Sequence, residues 1–331
     1  MKTIIVGGGL VGCAVALELA RRGREVVCLE RAVPGAEASS AAGGILAPRV
    51  EAHGDEDARV LGLESLGMYE AWLASLGADV GYRRSGVLVA RPESPDRDAV
   101  VLSGAELARV APGLKVQQAW WLSDEALLDT RRLVPAVRAA AEAAGVRFRS
   151  GVSVAKVESG AVLLEDGERL EGEVVVCAGA WTPAVSGLPP LPVRPVRGQL
   201  AAVADTAATT AVVFGPAGYL VPRHDELVVG ATMEEVGYQR GVSAGGVRHV
   251  LDHAIQLAPA LAASTFLRAW SSFRPGSPDG KPLVGRAGGV WVASGHFRNG
   301  ILLAPLTAAR LADAMLDGAA LPPAWRPDRF A

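Results

Sequence analysis

The first thirty residues constrain this chain most. Ile4-Ile5-Val6 is a short apolar strand, followed at once by Gly7-Gly8-Gly9-Leu10-Val11-Gly12, a G-x-G-x-x-G turn. Apolar residues then recur at Leu10, Cys13, Ala14, Leu17 and Ala20, so the spacing predicts a helix over Leu10 to Arg22, capped at its C-terminus by Gly23. Glu25 to Leu29 reads as a second strand, closed by Glu30, 18 positions after Gly12. Each part has a physical task in a dinucleotide-binding strand–helix–strand unit. Gly7 permits the tight turn, Gly9 lets the backbone approach a pyrophosphate, and Gly12 allows close helix–strand contact. The helix N-terminus faces the phosphates, and Glu30 accepts hydrogen bonds from ribose hydroxyls.

Composition removes most other readings. A length of 331 residues predicts about two structural units. Lys+Arg is 33 against 35 Asp+Glu, a net charge of -2, which excludes a generally basic nucleic-acid binder and an acidic tail. The three cysteines, Cys13, Cys28 and Cys177, lie far apart in apolar runs. They form no metal-ligand spacing and are expected to be buried and reduced, with no metal site. No stretch approaches the ~20 apolar residues that a spanning helix needs. Met1-Lys2-Thr3 leads straight into the first strand, so the expected location is the cytoplasm.

The glycine turn alone does not choose between NAD and FAD. Ser39-Ser40-Ala41-Ala42-Gly43-Gly44-Ile45-Leu46 is a loop of small residues able to lie against a flat ring system, which favours FAD. So does Val174-Val175-Val176-Cys177-Ala178-Gly179-Ala180-Trp181, a buried strand ending in a small-residue turn. A second G-x-G-x-x-G is missing, so electrons are expected from a small substrate rather than from NADPH.

Further along, the patterning predicts a helix over Asp55 to Leu76 and strands over Arg83 to Ala90 and Gln118 to Leu122. A helix over Thr130 to Ala144, capped by Asp129, then leads into a parallel strand, Val146-Arg147-Phe148. Val152 to Val157 and Ala161 to Glu165 read as a hairpin. Pro189 to Pro195 is a stiff crossing segment that marks a domain boundary. Beyond it come β-patterned runs at Gly198 to Val203, Tyr219 to Pro222, Leu227 to Gly230 and Phe266 to Phe273, with a helix over Val247 to Leu257. A strand over Gly289 to Ala293 and a helix over Asn299 to Leu316 end the chain. The turn between them, His296-Phe297-Arg298-Asn299-Gly300, then places a helix N-terminus where it could stabilise an anionic reduced flavin.

With GGGLVGCAVALELARRG, SSAAGGILAP, VVVCAGAW, GYLVPR, LVVGATM, SSFRPGSPDGKPLVG and GHFRNGILLAP in place, the chain resembles glycine oxidase of the thiamin-biosynthesis type, in the D-amino-acid oxidase superfamily. The resemblance implies a mixed α/β and α+β fold. A discontinuous Rossmann-like FAD-binding domain (1–78, 127–192 and 289–331) would join a mainly antiparallel β substrate domain (79–126 and 193–288). It implies that Arg274 pairs with an amino-acid carboxylate, that Tyr219 hydrogen-bonds it, and that Arg298 is a second arginine on the substrate side of the flavin. Besides Gly7, Gly9, Gly12 and Gly179, non-covalent FAD would be contacted by Leu10, Val11, Glu30, Arg31, Ala38, Ser39, Gly43, Gly44, Ile45 and Val154. His296, Phe297, Arg298, Asn299, Gly300, Ile301 and Leu302 would complete that set. No side-chain base is obligatory, because the flavin carries the redox chemistry.

The implied activity is oxidative deamination of glycine or another small amine to a 2-oxo acid, ammonia and hydrogen peroxide, in support of thiazole synthesis. Oxidation of sarcosine or a D-amino acid, a quinone-linked dehydrogenase and a non-catalytic flavin binder stay open as alternatives. The partners expected are a small amino acid and dioxygen, with no nucleic acid and no membrane; a homo-oligomer is left open.

Overall fold

The computed structural model describes residues 2–204 and 207–330. Its first sheet has six strands in the order Leu283–Ala287, Val290–Ser294, Glu173–Val176, Lys2–Val6, Glu25–Glu30 and Arg147–Ser150. All pairs are parallel except the first, which is antiparallel. Near-continuous apolar runs suit strands covered on both faces. Helices Leu10–Arg21, Glu56–Ala74, Thr130–Ala143 and Ala304–Asp317 pack on one face, around Ile5, Leu17, Tyr69 and Leu311. A three-stranded sheet (Val154–Glu158, Ala161–Leu164, Arg169–Glu171) covers the other, through Val157, Val162 and Leu164. The expected hairpin is therefore two of three strands.

The second large sheet has eight strands, in the order Phe266–Gly276, Arg194–Val203, Leu227–Gly230, Tyr219–Pro222, Val212–Phe214, Val87–Val89, Gln118–Leu122 and Val100–Ser103. It is antiparallel apart from one parallel pair, Val212–Phe214 with Val87–Val89. Helix Ala244–Leu257, capped by Ser243, covers one face. The other face presents Leu200, Tyr219, Val221 and Trp270 to the segment around Ile45, Ala47 and Val50. The site forms where this face meets the carboxyl ends of the parallel strands, the crevice in which open α/β sheets bind ligands.

Several boundaries differ from the sequence reading. Leu283–Ala287 pairs with Val290–Ser294 inside the six-stranded sheet, so the chain re-enters that sheet before residue 289. The strand Arg194–Val203 already contains Pro195, which lies opposite Pro275. Arg83 contributes only an isolated bridge to Leu127, and the strand after it is Val87–Val89. The last helix starts at Ala304 rather than Asn299. Pro305 explains this: a proline is tolerated in the first helical turn, but seven residues into a helix it would clash with the carbonyl of Ile301. That carbonyl instead accepts the Tyr69 hydroxyl, and the Leu302 carbonyl accepts Ser65 Oγ at 2.6 Å.

Candidate active site

The glycine turn is held by contacts that leave no room for side chains. A Cβ on Gly7 would lie 2.5 Å from the Cys177 carbonyl oxygen, and one on Gly12 would lie 2.0 Å from the Gly7 carbonyl oxygen. Glu30 braces the same turn: its Oε2 accepts the Gly8 amide and its Oε1 the Ala32 amide, both at 2.9 Å. Ser39 Oγ accepts the Leu10 amide at 2.9 Å, tying the small-residue loop to the helix N-terminus.

Two cavities open from this turn; their empty space, open mouths included, is 1190 and 1180 Å³. The first is lined by Gly7, Glu30, Arg31, Val154 and Trp181, with the Arg31 guanidinium 3.9 Å over the Trp181 ring. The second is lined by Leu10, Val11, Gly43, Gly44, Ile45, Tyr219, Arg274, and the run His296 to Ile301. Gly9, Ala38, Ser39, Cys177 and Gly179 line both, so the two form one slot across the strand ends. A long ligand with an acid-recognised ribose at one end and a flat ring at the other fits these walls.

At the ring end, Arg274 comes from the edge strand Phe266–Gly276. Its Nη1 donates to the Thr232 carbonyl at 3.1 Å, and a Cβ on Gly198 would lie 2.2 Å from the same nitrogen. The guanidinium thus lies against bare backbone of the neighbouring strand. It has no carboxylate partner among the described residues. Tyr219 sits beside it; burial raises the phenol above its usual range, outweighing the opposite pull of Arg274, so the hydroxyl keeps its proton. Arg298 Nε lies 3.1 Å from Glu51 Oε2.

His296 is buried and its Nε2 shares a hydrogen bond of 3.0 Å with Thr307 Oγ1. Burial pushes its pKa down to about 4, so at neutral pH the ring is uncharged. It is a built-in wall group, not a poised base. The Phe297 backbone is left-handed, with φ of 47°, a conformation costly for an aromatic residue, and its amide donates to the Pro275 carbonyl at 2.9 Å. The amides of Gly300 and Ile301, both on the cavity wall, have no protein acceptor among the described residues. The free donors expected of a helix N-terminus are therefore supplied by a turn that precedes the helix.

Of the residues singled out in the sequence, Leu302 and Gly12 do not line the slot. Leu302 is buried away from it, as part of the turn that Ser65 anchors, and Gly12 acts through close packing on Gly7. The other residues singled out all line one of the two cavities. Glu51, Gly198, Leu200, Ser272 and Trp181 are also in the walls, although no motif marked them as binding residues. Among them Glu51 matters most chemically. It ends a one-turn helix, Pro48–Glu51, pinned from behind by Glu125, which accepts the Arg49 amide at 3.3 Å and Arg49 Nη1 at 3.2 Å.

The model of the family described as FAD dependent oxidoreductase matches residues 2–314. The chain belongs to that family. It is 37% identical to the bifunctional protein ThiO/ThiG of Synechocystis sp., over 99% of this chain and 54% of that protein. It therefore spans about half the length of these bifunctional relatives. It is 31% identical to the glycine oxidase of Geobacillus kaustophilus, over 93% of this chain and 91% of that one. The crystal structure of a glycine oxidase from that organism superposes with a TM-score of 0.87 at 30% identity, covering 94% of each chain. The iminodiacetate oxidase of Chelativorans sp. superposes with a TM-score of 0.88 at 26% identity, covering 98% of each. The fold is thus the one expected, and the cofactor of this flavoprotein is FAD. No helix among the described residues is long and apolar enough to cross a membrane.

Replacing Glu30 with alanine is expected to weaken FAD retention without altering amino-acid preference. The variant loses the brace on Gly8 and Ala32 and, if Glu30 holds the ribose as the resemblance implies, a charged acceptor for it. A hydrogen bond to a charged group contributes about 1.5–3 kcal/mol, so the FAD dissociation constant should rise by at least ~10-fold. Full flavin occupancy after prolonged dialysis would show that Glu30 does not hold the ribose.

Proposed function

We propose that this chain is an FAD-dependent amino-acid oxidase whose substrate is glycine or a comparably small amine such as sarcosine. The observation that carries this reading is Arg274: a guanidinium without a carboxylate partner, set against backbone at Gly198 and beside a protonated Tyr219, in the wall of a largely apolar slot. A planar guanidinium takes a carboxylate through two parallel hydrogen bonds, and exclusion of water strengthens them.

Glu30 and Arg31 would hold the adenosine end of FAD, the turn from Gly7 to Val11 its pyrophosphate, and Gly43 to Ile45 with His296 to Ile301 its ring system. When bound, FAD supplies a hydride acceptor for the substrate α-carbon and a route for two electrons to dioxygen. The chain's own groups do the rest by position. Arg274 and the Tyr219 hydroxyl bind the carboxylate and fix which face of the α-carbon is presented. His296 stays neutral and adds no second charge. Binding of the amine in its neutral form leaves its lone pair free to form an imine, which water hydrolyses. Amino acid, dioxygen and water become a 2-oxo acid, hydrogen peroxide and ammonia, with methylamine in place of ammonia when the substrate is sarcosine. With glycine the oxo acid is glyoxylate, and the imine is the species that thiazole assembly would use.

The FAD is non-covalent in this reading. The three cysteines are buried and free in the nucleotide-binding part of the fold, which also fits a reducing, cytoplasmic setting. Amino acid and dioxygen are the partners we propose; a homo-oligomer is compatible with the fold, and no part of the reading needs nucleic acid or membrane. The test is turnover by purified protein with glycine, sarcosine and D-alanine. Equal yields of oxo acid and peroxide, with matching oxygen uptake, are expected. Oxidation without oxygen uptake would make it a dehydrogenase, and no product from any amino acid would make it a flavin binder.

A further inference from the structure

Three charged side chains line the ring-end cavity among the described residues: Arg274, Arg298 and Glu51. The two arginines are not equivalent. Among the described residues Arg274 is in no ion pair and feels Glu51 only through its charge at longer range, whereas Arg298 Nε faces Glu51 Oε2 at 3.1 Å. The Glu51 side chain is only 14% exposed, and its Oε2 also lies 3.8 Å from His53 Nε2. Burial pushes the Glu51 carboxyl up. The neighbouring His53 ring and the charges of Arg298 and Arg274 outweigh that and leave it below its usual range, so it is ionised. Both Oε2 of Glu51 and Nε of Arg298 are buried without an aligned hydrogen-bond partner. The pair therefore acts chiefly through charge. It leaves one positive charge net in the cavity, enough for one carboxylate.

Building on the amino-acid oxidase reading, we propose that Glu51 sets the charge class of the substrate. By occupying Arg298, it leaves Arg274 as the one anion anchor and turns a carboxylate towards any second anionic arm on the substrate. A monocarboxylate such as glycine or sarcosine enters; an amine with two carboxylates is turned away. A like charge juxtaposed in a desolvated site costs several kcal/mol, which makes a strong filter. Without the Glu51 charge, the same two arginines become a clamp for both ends of a dicarboxylate.

Sarcosine and iminodiacetate differ by one carboxylate and test the rule by turnover. Methylthioacetate and thiodiacetate, their sulfur counterparts without an amine, test it by calorimetric binding to the FAD-loaded protein. The wild type should prefer sarcosine to iminodiacetate by about 100-fold or more in kcat/KM, and bind thiodiacetate at least ~10-fold more weakly than methylthioacetate. Glu51→Gln should shift both ratios by about 10-fold or more towards the dicarboxylate, and adding Arg298→Met should remove that gain. Arg298→Met alone, which leaves Glu51 unpaired, should sharpen the preference for the monocarboxylate and serves even if Glu51→Gln does not fold. Ratios that move less than about three-fold in these variants, or a wild type that handles both ligands alike, would overturn the proposal. Failure to oxidise any amine would count against the oxidase reading alone, because the sulfur ligands still report the charge rule.

Discussion

Replacing Arg274 with alanine is expected to nearly abolish amino-acid oxidation while FAD stays bound. An amino acid must bring a full negative charge out of water into the apolar slot, and among the described residues Arg274 is the cation there that is in no ion pair. Truncating one partner of a buried, hydrogen-bonded charge pair costs about 2–5 kcal/mol, a loss of ~30-fold to several thousand-fold in kcat/KM. Lysine should rescue only in part, because it keeps the charge and loses the planar fork. Steady-state peroxide production with glycine and sarcosine measures this. An alanine variant that kept more than about a third of wild-type kcat/KM at normal FAD content would show that Arg274 is not the anchor, and Arg298 would be next to test.

The second large effect is on the fold itself. Gly12→Ala places a Cβ 2.0 Å from the Gly7 carbonyl oxygen and 3.2 Å from Cys177 Cβ. The first contact is with backbone, which cannot rotate away, so the helix Leu10–Arg21 must lift from the strand that supports the pyrophosphate turn. Overpacking of this kind costs about 1–3 kcal/mol or more. The variant should purify with little FAD and a lowered Tm. Gly67→Ala is the control. It lies exposed in the helix Glu56–Ala74 with nothing within 4 Å of a Cβ, and alanine there should stabilise by up to ~1 kcal/mol. Normal FAD content and Tm in Gly12→Ala would mean that the turn does not need its close approach.

How much of this could be read from sequence depended on the range of the interaction. The nucleotide unit was legible because its contacts are local: a strand, a glycine turn, a helix and an acid within thirty residues, and Glu30 does brace Gly8. Asp129 caps the helix that follows it, as the sequence indicates, while Asp55, read as the first residue of its helix, is instead the cap before Glu56. Other elements depend on distant partners, and two of them show why local patterning does not reveal them. The last helix starts later than its periodicity indicates because the turn before it is held by Tyr69 and Ser65, more than two hundred residues away in sequence. Val100–Ser103 carries no clear strand pattern because it is a short edge strand, largely exposed and paired on one side with Gln118–Leu122. The resemblance pointed to Arg274, Tyr219 and Arg298, and the fold brings all three to one cavity. Glu51 had no such signal. A glutamate at the end of a one-turn helix looks like a solvent-facing residue until the fold sets it against Arg298.

The most direct test of the central claim is anaerobic mixing of the FAD-loaded protein with a panel of small amino acids while the visible flavin absorbance is followed. Glycine or sarcosine should bleach the wild type, readmitted dioxygen should restore the colour, and Arg274→Ala should remain yellow at the same amino-acid concentration. A wild-type protein that stayed yellow with every amino acid, yet bleached with dithionite, would contradict the claim that this slot oxidises amino acids.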